Sequence, residues 1–114
     1  MAYGTRVGFE AVREAAFGAV TASYTSLGTP TSQFVRLIAI SNSTNADIYV
    51  SFDGTVNHLR ISAGSFKLLD LSSNKVRDDG LFIGVGTQIY IKYVSTLGAS
   101  GNVWAECMHA EGGV

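Results

Sequence analysis

Residues 41–61 read SNSTNADIYVSFDGTVNHLRI, and this stretch decides the fold. It opens on a Ser/Thr/Asn cluster, Ser41 to Asn45, whose side chains bond to nearby backbone groups and so favour turns. In Asp47–Phe52, Ile48, Val50 and Phe52 alternate with Tyr49 and Ser51. That period of two marks a strand with one face on a core. Asp53-Gly54 follows, the residue pair that supplies the positive φ angles of a type I′ hairpin turn. Behind it comes a second short run, His58–Ile61. The stretch therefore predicts turn, strand, turn, strand.

The same grammar extends in both directions. Strands are predicted at Phe17–Tyr24, Phe34–Ser41, Asp47–Phe52, His58–Ile61, Phe66–Leu71, Leu81–Val85, Gln88–Val94 and Val103–Met108. Thirteen glycines and one proline help to punctuate them, at Gly28-Thr29-Pro30, Ala63-Gly64, Asp78-Asp79-Gly80, Gly84–Gly86 and Gly98–Gly101, with Ser72-Ser73-Asn74 as a further turn. About eight short antiparallel strands at this spacing give an all-β, single β-sandwich or jelly-roll-like domain.

Alternation assigns faces. Ile89, Ile91 and Tyr93 oppose Gln88, Tyr90 and Lys92; Val103, Ala105 and Cys107 oppose Trp104, Glu106 and Met108. The first set of each faces the core. Tyr49, Tyr90 and Trp104 then stand on outer faces, either under a loop or against a neighbouring subunit, where aromatic residues are enriched. The first sixteen residues read differently. Phe9, Val12, Arg13 and Ala16 are spaced near a helical face, so residues 1–16 are expected to form an arm or short helix ahead of a sandwich at 17–114. Phe9, Val12 and Arg13 join Tyr49, Tyr90 and Trp104 as candidate interface residues.

The composition narrows the function classes. A chain of 114 residues fits one domain. Charged residues make up 15%, against about 25% in an ordinary globular protein, so either part of the surface is covered by another protein or Ser, Thr, Asn and Gly supply its polarity. The formal net charge is −1 and no window is basic, which argues against nucleic-acid binding. A single cysteine, Cys107, excludes an internal disulfide and fits assembly inside a cell. Arg6, Glu10, Arg13 and Glu14 interrupt any apolar leader, and no run of about 18 apolar residues exists, so neither secretion nor a membrane partner is expected.

Chemistry-bearing patterns are incomplete. The aspartates do not form a calcium loop. Cys107 and His109 share a strand face as half of a zinc site, with no second pair. There is no Gly-x-Ser-x-Gly elbow. Glu10, Glu14, Glu106 and Glu111 lie near the chain ends, away from any obvious cleft. Gly84–Gln88 resembles a phosphate loop but precedes a strand, not a helix. Asn42-Ser43-Thr44 matches a glycosylation sequon and is read as turn chemistry. No catalytic residue, metal or cofactor is expected.

Taken in order, VREAAFGAVTASYTSLGTP, VRLIAISNSTNADIYVSFDG, ISAGSFKLLDLSSNKV and GLFIGVGTQIYIKYVSTLGASGNVWAECMHA resemble small structural proteins of tailed-bacteriophage virions, over about residues 12 to 109. The resemblance rests on a strand ending in SN-T-AD, a strand ending in SFDG, an AG-F-LLDL-SN segment and a final G-G-VW strand. It implies a non-enzymatic β-sandwich assembled in the host cytoplasm and located on the virion. Implied partners are major capsid, portal, neck or tail proteins, with the chain itself a homo-oligomer or present in symmetric copies. Two stations fit: a capsid decoration protein, or a component of the head–tail neck or tail ring. A carbohydrate- or receptor-binding sandwich, using Trp104, Tyr90, Tyr49 and Tyr93, is the alternative.

Overall fold

The computed structural model describes residues 7–33, 35–70, 75–76, 79–80 and 83–110. Its strands are β1 (Val7–Phe9), β2 (Arg13–Ala16), β3 (Thr25–Ser26), β4 (Val35–Asn42), β5 (Ile48–Ser51), β6 (Leu59–Ile61), β7 (Ser65–Asp70), β8 (Lys75–Val76), β9 (Asp79–Gly80), β10 (Tyr90–Tyr93) and β11 (Asn102–Ala110). The larger sheet runs β1-β11-β4-β7, with β2 also on β11; the smaller runs β3-β10-β5-β6. The pair β8–β9 stands apart as a small hairpin.

Every ladder between these strands is antiparallel, and the partners nest. β1 and β2 pair with β11, β3 with β10, β4 with β7, and β5 with β6. The chain is thus one long hairpin, folded back around the loop between β5 and β6 and rolled into two sheets. That is the jelly-roll arrangement, a double Greek key. The stretch 41–61 lies at its tip.

The core lies between the sheets. Ile38, Ile40, Val103 and Ala105 of the larger sheet meet Ile48, Val50, Ile61 and Ile91 of the smaller, all at most 1% exposed. These are the inward residues of the period-two pattern. Tyr93 is also inside, at 2% exposure, and its hydroxyl donates to the Phe17 carbonyl at 2.8 Å. It belongs to the core and not to a binding surface.

Several expectations are revised. Residues 7–16 form neither a helix nor a separate arm: β1 and β2 are the edge of the larger sheet, and residues 1–6 lie outside the described residues. Phe9 faces Met108 and Arg13 faces Ala105, four steps on this edge against three on β11. The extra residue is a bulge, and it breaks the alternation that would have announced a strand. Phe17–Tyr24 is not a strand. Phe17–Ala19 is a turn of 3-10 helix, and only Thr25–Ser26 pairs. Of Leu81–Val85, Ile83 makes an isolated bridge to Val35, and residues 81–82 lie outside the described residues, as do the 72–74 turn and Glu111.

The Asp53-Gly54 hairpin is longer than a two-residue turn, because β5 and β6 close at Val50–Leu59. Asp53 organises the loop through its side chain. Its Oδ1 accepts from the N–H groups of Thr55 and Val56 at 2.8 and 3.0 Å. Gly54 takes the positive φ, 83°. Among the described residues, no helix is long and apolar enough to cross a membrane.

Candidate interaction surface

The outer face of the larger sheet is built from the residues that alternate with its core positions. Register sets them in three rows. Phe9, Met108, Leu37 and Asp70 form one; Glu106, Ala39 and Leu68 the next; Glu14, Trp104, Ser41 and Phe66 the third. Phe9 is 75% exposed, Phe66 67% and Leu68 52%, while Leu37, Ala39, Trp104 and Met108 are half-buried. A shallow cleft of about 230 Å³ opens between Phe9, Leu37, Ala39, Glu106 and Met108. The three rows carry acidic groups: Glu106 amid the apolar residues, Glu14 at the rim, whose Oε2 accepts from Asn102 Nδ2 at 2.7 Å, and Asp70 at the β7 end. An exposed apolar patch on a sheet face is a candidate docking surface.

The smaller sheet presents a different outer face. Lys92 Nζ lies 4.7 Å from the centre of the Tyr24 ring and 5.8 Å from that of Tyr49. The Tyr24 hydroxyl donates to Asn57 Oδ1, and burial raises its pKa above the ordinary phenol value. Arg60, opposite Tyr49, bonds Asp47 Oδ2 at 2.8 Å, which lowers the Asp47 pKa. Tyr90 sits beneath the 53–57 loop, where a Cβ on Gly54 would come within 3.4 Å of its ring.

The six candidate residues are thereby separated. Phe9 and Trp104 share the outer face of the larger sheet. Tyr49 and Tyr90 lie on the opposite side of the sandwich, so Trp104 and the tyrosines form no common surface. Val12 is exposed at the bulge, 57%. Arg13 is no surface residue: it is 6% exposed, with Nε donating to the Thr29 carbonyl at 2.8 Å and Nη2 to Glu10 Oε1 at 2.6 Å. Sequence reasoning missed Phe66, Leu68 and Leu37. The alternation in SFKLLD was the signal for the first two.

Ser51 and His58 are each engaged with other partners. Ser51 Oγ bonds Asp53 Oδ1 at 2.8 Å and is fully buried, while His58 Nδ1 accepts the Phe52 N–H at 3.0 Å. The serine and histidine therefore do not address each other as nucleophile and base. Cys107 is buried beside Arg13, and burial pushes its thiol pKa up, away from the reactive thiolate. Cys107 and His109 do share an inward face, yet no group of three or more His, Cys, Asp or Glu that could hold a metal occurs among the described residues.

No protein-family profile, curated protein or solved structure matches the chain.

Proposed function

We propose that this chain is a non-enzymatic structural protein of a tailed-bacteriophage virion. It is present in symmetric copies and attaches through protein–protein contacts, as a capsid decoration protein or as part of the head–tail neck or tail ring. The observation that carries this reading is the apolar outer face of the larger sheet. Phe9, Leu37, Leu68, Trp104, Phe66 and Met108 gather on it, and covering them removes apolar surface from water. The low charge content agrees with a protein that has much of its surface against neighbours, and the resemblance carried by the SN-T-AD and SFDG motifs supports the virion as the setting.

The test is binding of purified protein to emptied phage heads, to isolated necks and tails, and to host glycans. Retention on one virion component and not on glycans is expected; retention on glycans alone overturns the proposal. Quantitative mass spectrometry of virions then separates the stations. A copy number that scales with the capsid lattice means decoration, and a single ring's worth means the neck or tail.

A second reading, a carbohydrate- or receptor-binding module, draws on the other outer face, where Tyr24 and Tyr49 flank Lys92. Loss of glycan retention in Tyr49→Ala, with folding intact, would favour it.

A further inference from the structure

The edges of the two sheets are unequal. The smaller sheet ends in β3, two residues long, and β6, three residues long. The larger ends on one side in β1 and β2, which the bulge divides. Its other edge, β7, is an unbroken run of six residues, SFKLLD, without glycine or proline. Among the described residues its ladder partner is β4 alone. Short or bulged edges resist further pairing, whereas a long regular edge with exposed apolar side chains is a template for another strand. Phe66 and Leu68 are those side chains.

We propose that β7 pairs with β7 of a second copy of this chain, antiparallel across a two-fold axis, with Leu68 facing the partner's Leu68. This deepens the symmetric-copies part of the proposed function and does not depend on the virion setting. A two-fold closes the pairing with identical surfaces. Directly opposite residues in an antiparallel ladder point to the same face, so only registers that match outward with outward positions are compatible with the sandwich. Two such registers keep most of the strand paired. In one, Lys67 lies on the axis and meets the partner's Lys67; like charges directly opposite are destabilising. In the other, Leu68 lies on the axis, Lys67 meets the partner's Leu69, and Phe66 meets the partner's Asp70. No like charges then oppose each other. Lys67, which would guard the edge against indiscriminate pairing, selects this register. The row Glu106, Ala39, Leu68 runs on into the same row of the partner, so the apolar outer face becomes continuous across the dimer.

The registers differ in which residue can be cross-linked. Opposite Cα atoms lie about 4.5–5.5 Å apart, within reach of a disulfide. With Leu68 on the axis, the two Lys67 Cα atoms are separated by about 8 Å, too far to bridge. Under mild oxidation, Leu68→Cys is expected to run as a covalent dimer on a non-reducing gel and Lys67→Cys as a monomer; buried Cys107 serves as the unreactive background. By sedimentation the wild-type chain is expected to have twice the monomer mass, and Leu68→Lys, which puts two ammonium groups on the axis, the monomer mass with an unchanged circular dichroism spectrum. A monomeric wild-type chain, a dimeric Leu68→Lys, or cross-linking through Lys67→Cys in place of Leu68→Cys overturns the pairing. The two readings fail separately. A monomeric wild type that still binds phage heads overturns the pairing alone, and a dimer that binds no virion component overturns the virion assignment alone.

Discussion

Arg13 and Glu10 form an ion pair, Nη2 to Oε1 at 2.6 Å, with both side chains only 6% exposed, at the bulge where the first edge of the larger sheet breaks. Neither charge is left without further partners. Arg13 also reaches the carbonyls of Thr29 and Pro30, and Glu10 Oε2 accepts the N–H groups of Ser32 and Gln33 at 3.2 and 3.1 Å. The pair ties the N-terminal edge to the loop between β3 and β4, one segment from each sheet's side of the roll.

Removing one partner of a buried pair strands the other charge. Arg13→Ala is therefore expected to lower stability by about 3–5 kcal/mol, read from urea unfolding. Arg13→Lys should recover little of this, because an ammonium cannot span Thr29, Pro30 and Glu10 as the guanidinium fork does. Full stability in Arg13→Lys would show that charge alone matters at this position.

The Asp53 loop should be sensitive to acid. Hydrogen bonds to the ionised carboxylate, led by the N–H groups of Val56 and Thr55 and then the Ser51 hydroxyl, hold its pKa well below the ordinary value of 3.8. The unfolded chain thus takes up this proton at a higher pH than the folded one. The contribution to stability is fully present above the ordinary carboxylate pKa and is lost as pH falls below it toward the depressed value. Asp53→Asn is expected to unfold more easily at neutral pH and to show a shallower fall in stability below about pH 4. Equal acid slopes for the two proteins would contradict this.

The parts of the fold legible from the sequence were those where a strand obeys period two. Ile48/Val50, Ile89/Ile91/Tyr93 and Val103/Ala105/Cys107 are all inward, as their alternation predicts. The turn chemistry of Asn42 and Thr44 was legible too. Asn42 Nδ2 donates to the carbonyls of Ala46 and Ile61, and its Oδ1 accepts from Thr44, so the buried amide pins the loop to β6. The N-terminal edge was hidden by its bulge, which puts Phe9 and Arg13 at a helix-like spacing although one points outward and the other inward. Arg13 looked like a surface group because its partners Thr29 and Pro30 are distant in sequence. The outer face was only half legible: Trp104 stood out by type, whereas Leu37 and Phe66 gained meaning from the ladders that bring β4, β7 and β11 side by side.

Gly101 is a position where the backbone itself demands glycine. Its φ is +90°, and a Cβ there would lie 2.1 Å from the Ser43 carbonyl oxygen. That carbonyl belongs to a rigid segment, since the Ser43 N–H donates to the Asn102 carbonyl at 2.9 Å. A left-handed conformation alone costs a non-glycine residue about 1–2 kcal/mol, and the backbone clash adds to it. Gly101→Ala should therefore lose more than that in thermal unfolding. Gly64→Ala is the control: its φ is +74° but its Cβ would meet nothing within 4 Å, so it should lose only the conformational part.

The outer face of the larger sheet separates stability from docking. Phe9 is 75% exposed and contributes little to the core, so Phe9→Ser is expected to change the unfolding free energy by no more than about 0.5 kcal/mol. If the proposed function holds, the same substitution reduces retention on phage heads, necks or tails, because it removes an exposed aromatic from the patch that a neighbour covers. Combining it with Trp104→Ala should deepen the loss, since both side chains project from the same face of the sheet. Tyr49→Ala, on the opposite side of the sandwich, should leave that retention unchanged. Measured together, the three variants assign docking to a face: loss of virion retention through Tyr49 with Phe9 and Trp104 silent would move the docking surface to the smaller sheet.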